Sequence, residues 1–259
     1  MSKQLLVIGS GGFLGHKVNE LLHEDYELLH LRSGNWNLEN ILRDRPVVLM
    51  MRAMSSPGLV QQNPEESNQL NVTKTSQLIG ECLAAGSKVI FTSSDVIYGH
   101  SDSTVFSESD YPNPFGLYAS QKAAIESLFQ DNSDFFSLRL SLVTGIGSKL
   151  LRILSEEENP KIPGGVIRNP VHFKYVVATI KGLIECNSWQ DISKDLVFNV
   201  GGRESLDIYD LAYRIALKEQ LNLPIKVDRS ELDLSSRPGV TRISSSKAEN
   251  FTNMRFSLD

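Results

Sequence analysis

Short apolar runs alternate with amphipathic stretches along most of the chain. The run Gln4–Ile8 stops at Gly9, and residues 13–22 then place apolar side chains at helical spacing, so a strand, a glycine turn and a helix are predicted here. Strands that alternate with helices in this way predict a parallel sheet with helices on its faces. Further strands are predicted over 26–31, 46–51, 88–94, 135–143, 196–200 and 225–227, and further helices over 38–42, 64–86, 118–130, 148–158, 175–186 and 206–219.

The composition is that of an ordinary globular protein. Of 259 residues, 41% are apolar and 22% are charged, which argues against disorder and against a fibrous class. A net charge of -5 without a basic run argues against a nucleic-acid partner. Because no segment approaches the length of apolar sequence that crosses a bilayer, we expect a cytoplasmic protein without a membrane partner.

The cysteines and histidines show no metal-binding pattern. Cys82 and Cys186 lie far apart in two helical patterns, so two reduced thiols are expected rather than a disulfide. The five histidines lack the spacing that places two on one helical face. No metal site is therefore predicted.

The first turn, GSGGFLG, carries Gly9, Gly12 and Gly15 between the first strand and the first helix. Glycines at such a turn let backbone amides approach a pyrophosphate, whose charge the helix N-terminus favours. The spacing is GxxGxxG rather than GxGxxG, and a purely structural glycine turn is the alternative. We therefore predict a dinucleotide site that also includes the intervening Phe13 and Leu14.

The end of the second strand indicates which dinucleotide is bound. An NAD site places an acidic residue there against the ribose hydroxyls, whereas this chain has Arg32 and Ser33. A guanidinium and a hydroxyl suit the additional phosphate of NADP. NADP(H) is predicted and NAD(H) remains possible, since Arg32 could also be a solvated loop residue.

Two further motifs place polar groups near the predicted carboxyl edge of the sheet. The helix over 118–130 opens with YASQK, in which Tyr118 and Lys122 stand four residues apart and share one face. A phenol needs a nearby cation to exchange protons near neutral pH. The stretch TSSDVIYG follows a buried strand, and its hydroxyls and carboxylate serve either as caps or as chemical groups.

Taken together, these motifs resemble the extended short-chain dehydrogenases/reductases, and most closely the dTDP-4-dehydrorhamnose reductase group. The resemblance covers nearly the whole chain and includes NPEESNQLNVTKTSQLIGECLAAGSKVIFTSSDVIYG, SLRLSLVTG, VFNVGGRESLDIYDLA and SSRPGVTRISSSKAENF. It implies an α/β fold, a Rossmann-type doubly wound parallel sheet with a small C-terminal substrate-binding lobe. Residues 1–145 would form the dinucleotide-binding domain, 166–201 would return to its sheet, and 146–165 with 202–259 would form the lobe.

The same resemblance implies roles for individual residues. Ser94 would bind the substrate carbonyl, Tyr118 would be the acid, and Lys122 would hold the nicotinamide ribose and lower the pKa of the phenol. Ser93 would be a structural neighbour, because adjacent strand residues face opposite sides. The predicted cofactor-binding residues are Gly9, Gly12, Phe13, Leu14, Gly15, Arg32, Ser33, Arg52, Asn71, Tyr118 and Lys122, and the predicted substrate-binding residues are Ser94, Asp95 and Arg237.

The chain also departs from the reductase group. Arg52 and Ala53 stand where relatives have two small residues, and Arg52 would reach a phosphate or form a salt bridge. Leu142 stands near the place of a tryptophan that is frequent in the group. Arg237 would contact phosphate or sugar, or else be a solvated loop residue.

The predicted function is NADPH-dependent reduction of a keto group on a nucleotide-linked 4-keto-6-deoxy sugar. A dehydratase of this fold has Glu after the Asp of the active-site stretch, whereas Asp95 is followed by Val96. A sugar-nucleotide 4-epimerase and a non-catalytic NADP-binding regulatory subunit remain as alternatives. The expected partners are the nucleotide sugar and, in a homodimer, a second copy of the chain.

Overall fold

Six parallel strands form the central sheet of the computed structural model, which describes residues 3–31, 38–232 and 238–258. The strands of this sheet are β1 (Gln4–Ile8), β2 (Glu27–Leu31), β3 (Val47–Met50), β4 (Val89–Ser94), β6 (Phe135–Leu140) and β11 (Val197–Val200). Eight short strands pair outside it: β5 (Val105–Phe106), β7 (Val143–Thr144), β8 (Lys161–Pro163), β9 (Ile167–Arg168), β10 (Val171–His172), β12 (Leu206–Asp207), β13 (Ile225–Val227) and β14 (Arg242–Ile243).

Helices connect these strands. They are α1 (Phe13–Leu22), α2 (Leu38–Leu42), α3 (Pro57–Gln62), α4 (Pro64–Asn68), α5 (Thr75–Ala84), α6 (Leu117–Phe129), α7 (Lys149–Glu156), α8 (Phe173–Glu185), α9 (Ile208–Glu219) and α10 (Ser246–Thr252). A π-helical segment, Gln69–Lys74, joins α4 to α5, and short 3-10 helices span Asp95–Tyr98 and Arg229–Leu232.

The strand order across the sheet is β11-β6-β4-β3-β1-β2. The chain leaves β1 towards one edge, forms β2, and then crosses back to form β3 on the other side of β1. A doubly wound sheet opens a crevice for ligands at such a reversal, outside the carboxyl ends of the strands. The predicted Rossmann-type doubly wound fold is confirmed, and the crevice lies at the ends of β1 and β3.

Each face of the sheet has its own apolar core. Successive strand residues point to opposite faces, so Ile90 packs with Phe136 on one side while Phe91 packs with Phe135 on the other. Helices α1 and α8 cover the first face, and α5 and α6 cover the second. The position of α6 matters for the site, because it sets the opening turn of this helix beside the carboxyl end of β4.

Three predicted elements differ from the observed ones. The strand predicted over 135–143 ends at Leu140, because the backbone then turns to pair with Val171–His172 in a separate ladder. The single helix predicted over 64–86 is divided by the π-helical segment. The helix predicted from Leu206 begins at Ile208, since Leu206 and Asp207 pair with β9 and the Asp207 carboxylate caps the helix.

A smaller group of elements packs beyond the carboxyl edge of β6. Helices α7 and α9 bury Leu150, Leu154 and Leu211 against one another, and the ladder of β8 and β13 lies beside α9. This group is built from two separated stretches of chain. The exact division into domains stays a prediction.

Both cysteines are free thiols, with Cys82 in α5 and Cys186 directly after α8. Within the described ranges, no group of three or more metal-ligating side chains lies together. No helix among the described residues has the length and apolar character needed to cross a membrane.

Candidate active site

Two glycines of the first turn are required by packing against the protein itself. Gly9 has φ of +102°, and a Cβ there would lie 2.6 Å from the Arg52 backbone nitrogen. A Cβ on Gly15 would lie 2.6 Å from the Cα of Ser10. These contacts let β1 approach the segment after β3 and let α1 fold back closely over the turn.

Gly12 is different, because no atom of the described residues explains the lack of a side chain. Among these residues, a Cβ there would have only the Gly9 carbonyl oxygen within 4 Å, at 3.8 Å. Gly12 is the N-cap of α1 and provides no side-chain cap for the free backbone N–H groups of the first turn. An anion can therefore approach these N–H groups directly, as the predicted dinucleotide pyrophosphate requires.

The glycine turn opens into a cleft of about 560 Å³ that reaches the start of α6. The cleft brings together nine of the predicted residues, which come from the turn after β1, from α1, from the segment after β3, from β4 and from α6. They are Gly9, Gly12, Phe13, Leu14, Gly15, Arg52, Ser94, Tyr118 and Lys122, and Thr92, Ser93 and Ser141 also line the wall.

Lys122 is a buried cation in this cleft. Only 4% of the residue is exposed, and its Nζ donates a hydrogen bond of 2.7 Å to the Thr92 carbonyl oxygen. The ammonium also lies 4.5 Å from the centroid of the Phe91 ring and 6.0 Å from that of Tyr118. Burial lowers the pKa of Lys122 to about 8, against the opposing effect of the Glu126 carboxylate.

The two serines at the end of β4 lie in different surroundings. Ser93 is in register with Arg139, whose guanidinium binds Glu126 of α6, so its side chain faces that helix. The Ser93 Oγ is buried without a hydrogen-bond partner among the described residues. Ser94 is more accessible, and its Oγ donates to the Asp95 carboxylate at 3.4 Å. The structure therefore distinguishes the two hydroxyls but leaves the role predicted for Ser94 as a prediction.

Asp95 faces the protein interior. It is 3% exposed, and its Oδ2 accepts a hydrogen bond of 2.6 Å from the Ser141 hydroxyl. The described residues that line the cleft do not include Asp95. Direct contact with substrate, as predicted from the sequence, stays a prediction, whereas contact with Ser94 is observed. Ser141 was missed, because its partner is 46 residues away.

Asn71 is also turned towards the protein. Its Oδ1 accepts from the Met54 backbone N–H at 2.8 Å, and its Nδ2 donates to the Met54 carbonyl at 3.0 Å and to Gln121 Oε1 at 2.8 Å. The amide thus fastens the segment after β3 to α6, one residue before Lys122. Single π-helical turns are frequent at functional sites, and here the turn carries Asn71. Its predicted contact with cofactor stays a prediction.

Of the three arginines predicted for the site, only Arg52 lies among the described residues. Arg52 lines the cleft and takes part in none of the ion pairs found within the described ranges, which favours the phosphate contact over the salt bridge. Arg32, Ser33 and Arg237 lie outside the described residues.

The sequence matches the model of a protein family described as RmlD substrate binding domain over residues 3–256. The chain belongs to this family. A curated relative is methionine adenosyltransferase 2 subunit beta of Pongo abelii, which is 25% identical over 86% of this chain and 73% of its own length.

Two solved structures share the fold of this family member. One is a dTDP-4-dehydrorhamnose reductase from Bacillus anthracis str. Ames in complex with NADP, with a TM-score of 0.82, 16% identity, and coverage of 98% of this chain and 94% of that one. The other is a UDP-glucuronic acid 4-epimerase from Bacillus cereus in complex with UDP-glucuronic acid and NAD, with a TM-score of 0.80, 18% identity, and coverage of 99% and 95%.

Replacing Gly12 by alanine tests whether the glycine turn binds a dinucleotide. The Cβ would project into the cleft, so we expect Gly12→Ala to weaken NADPH binding about tenfold or more, which corresponds to ~1.4 kcal/mol. Its melting temperature should stay close to that of the parent. Fluorescence titration and thermal unfolding measure the two quantities.

Gly58→Ala is the matched control for this change. A Cβ on Gly58 meets no atom of the described residues within 4 Å, and Gly58 does not line the cleft, so NADPH affinity should be unchanged. Gly15→Ala should instead lower the melting temperature, because its Cβ meets the Ser10 backbone. Equal NADPH affinity in Gly12→Ala and the parent would show that the turn is structural only.

Replacing Asn71 by alanine tests the connection between the segment after β3 and α6. The change leaves a partly buried backbone N–H of Met54 without its acceptor, so we expect the free energy of unfolding to fall by about 1–3 kcal/mol. Asn63→Ala removes an amide that donates to Leu59 at an exposed position and should cost under about 0.5 kcal/mol. Urea denaturation measures the free energy of unfolding of both variants. Equal decreases in the two variants would contradict the role of Asn71 in connecting the segment after β3 to α6.

Proposed function

We propose that the protein is an NADPH-dependent reductase that acts on the keto group of a nucleotide-linked 4-keto-6-deoxy sugar. The observation that carries this proposal is the buried Lys122 ammonium, which shares one cleft with the Tyr118 phenol, the Ser94 hydroxyl and the glycine turn. An acid, a cation and a hydrogen-bond donor in one cleft are the groups that carbonyl reduction needs from a protein.

Tyr118 is the proton donor in this mechanism. A phenol transfers its proton more readily when a nearby positive charge stabilises the phenolate. Lys122 supplies that charge from the next turn of α6, and its bond to Thr92 fixes the ammonium in place. Ser94 supports the same carbonyl oxygen by hydrogen bonding as negative charge develops on it.

The cleft fits a nicotinamide dinucleotide. The open space at Gly12 and the free N–H groups of α1 suit the pyrophosphate, and Arg52 can bind a phosphate beside it. Lys122 lies where it can hold a ribose hydroxyl. When bound, the reduced nicotinamide supplies the hydride. We propose NADP(H) as the cofactor, with NAD(H) possible, since the similar reductase contains NADP and the similar epimerase contains NAD.

The substrate assignment is supported by the family and by the similar solved structures. Their names refer to dTDP-linked and UDP-linked sugars. In this chain the sugar nucleotide would lie between the cleft and the lobe of α7 and α9, and the contact predicted for Arg237 stays a prediction. A homodimer and a cytoplasmic location stay predictions.

A non-catalytic subunit is the second candidate. It is favoured by the similarity to methionine adenosyltransferase 2 subunit beta, which extends over 86% of this chain. Against it stands the retention of Tyr118 and Lys122 within the cleft. A 4-epimerase is a further alternative within the same fold.

A direct assay separates these functions. The purified protein is mixed with NADPH and a panel of 4-keto-6-deoxy nucleotide sugars, and in parallel with oxidised cofactor and 4-hydroxy nucleotide sugars, and both the absorbance of NADPH and the sugars formed are followed. A reductase consumes NADPH in proportion to product in the first mixture, an epimerase interconverts the 4-hydroxy sugars of the second without net change in reduced cofactor, and a subunit binds the cofactor without turnover in either. Net NADPH consumption is the outcome we expect.

Replacing Tyr118 by phenylalanine tests the proton donor. Because the ring is kept and only the hydroxyl is lost, we expect kcat to fall by about 10²–10⁴-fold while NADPH affinity changes little. Tyr111→Phe serves as the control, since Tyr111 is 92% exposed and lies outside the cleft. Full activity in Tyr118→Phe would rule out this residue as the acid.

The pH profile of kcat/KM for NADPH tests the role of the Lys122 charge. A lysine is charged below its pKa and neutral above it, so with a pKa of about 8 the free enzyme loses this cation as the pH rises beyond that value. We expect kcat/KM to fall on the alkaline side, because this parameter reports groups of the free enzyme. In Lys122→Arg the charge persists, and the alkaline decrease should disappear. An identical decrease in both proteins would assign it to another group.

A further inference from the structure

A buried polar cluster lies directly behind the Ser94 hydroxyl. It consists of Asp95, Ser141 and Arg168, whose exposed fractions are 3%, 7% and 5%. Asp95 opens the 3-10 helix after β4, Ser141 directly follows β6, and Arg168 belongs to β9. The cluster therefore joins the sheet to the elements around the lobe, at the point where the cleft ends.

The carboxylate of Asp95 is held from the side opposite Ser94. Ser141 donates to its Oδ2 at 2.6 Å, and the Ser141 oxygen in turn accepts the Asn169 backbone N–H at 3.2 Å. The Nε of Arg168 lies 4.0 Å from the same Oδ2. These contacts occupy Oδ2 and leave Oδ1 facing Ser94, whose hydroxyl donates to it at 3.4 Å.

Arg168 fixes the cluster to the C-terminal part of the chain. Its guanidinium donates to the carbonyl oxygens of Pro238 and Gly239, at 2.8 Å and 3.0 Å. The planar group thus has fixed partners on several sides and cannot rotate freely. A change in the backbone at residues 238–239 would move Arg168, and through it the Asp95 carboxylate.

Stability alone does not account for a polar cluster at this buried position. Burial raises the pKa of the Asp95 carboxyl, and Arg168 with the hydroxyl donors acts in the opposite direction. Removing two charges from water costs free energy that offsets much of the attraction between them. Apolar side chains of the same shape therefore often stabilise a fold as well as a buried ion pair does. The directional contacts with Ser94 and Ser141 are what an apolar group could not supply.

We propose that Asp95 is a positioning residue that fixes the Ser94 hydroxyl in the cleft, and that Ser141 and Arg168 hold Asp95 in place for this task. The proposal rests on the proposed function, in which Ser94 hydrogen-bonds the substrate carbonyl. Asp95 acts through Ser94 and does not itself touch the substrate. A substitution of Asp95 should therefore change kcat only in a protein that has the Ser94 hydroxyl.

A double-mutant cycle on the full-length protein tests this dependence. Asp95→Asn keeps the size of the side chain but replaces one acceptor oxygen by a donor group. We expect it to lower kcat about tenfold in the parent and less than about twofold when Ser94→Ala is already present, because contacting residues are not additive. NADPH affinity should stay within about twofold of the parent. Ser141→Ala should show the same dependence on Ser94 with a smaller loss.

Glu249→Gln is the matched control for removing a buried carboxylate. Glu249 is 6% exposed and accepts from Arg203 at 2.9 Å and from the Phe256 backbone at 2.7 Å, and it does not line the cleft. Any decrease in kcat that Glu249→Gln causes should be equal in the parent and in Ser94→Ala. Thermal unfolding of every variant checks that each protein is folded. If Asp95→Asn lowered kcat equally in the parent and in Ser94→Ala, the proposal would be overturned.

Crystal structures of the parent and of Asp95→Asn separate this proposal from the proposed function. A changed Ser94 side-chain rotamer in Asp95→Asn supports the positioning role of Asp95. An unchanged rotamer and an unchanged Oγ position would overturn that role, whether or not the parent is active. If the parent reduces no keto sugar while the rotamer changes, the proposed function fails and the positioning role stands.

Discussion

The hydrogen bond from the buried Lys122 ammonium to the Thr92 carbonyl joins the two elements on which the site depends. It ties the first turns of α6 to the carboxyl end of β4 at 2.7 Å, and so sets Tyr118 beside the serines of that strand. A buried ammonium is costly unless its hydrogens are paired. The bond to Thr92 meets part of that cost and leaves further N–H donors for a ligand. The bond to Thr92 therefore fixes the position of Lys122, while the Glu126 carboxylate acts against the effect of burial on its pKa.

The other contacts around the cleft support this arrangement from two sides. Asn71 fastens the segment after β3 to Gln121 of α6, next to Lys122 in the chain. On the far side, Asp95 receives the Ser141 hydroxyl and lies behind Ser94. The reactive groups thus stand on rigid elements whose own polar partners are buried, which is the arrangement that keeps a site in a single geometry.

Much of the fold and part of the site could be predicted because they depend on local sequence. Alternating apolar runs and helical spacing predicted the strand and helix order, and the four-residue interval of Tyr118 and Lys122 placed both on one helical face. The break of the strand at Leu140 and the π-helical turn at Asn71 were missed. The segment after the strand break forms a ladder that contains Val171, and Asn71 in the π-helical turn binds Met54, and no local pattern reveals partners so distant in the chain.

The kind of fold, the glycine turn and the set of reactive side chains follow from periodicity and residue chemistry, so they could be predicted from the sequence alone. Which side chains face the cleft depends on the tertiary structure. Ser141 and Met54 engage polar atoms of Asp95 and Asn71 within the protein, while the ligand contacts predicted for both residues stay predictions. The reason is that a buried polar group binds the nearest partner in space, and the path of the backbone through the whole fold determines which partner that is.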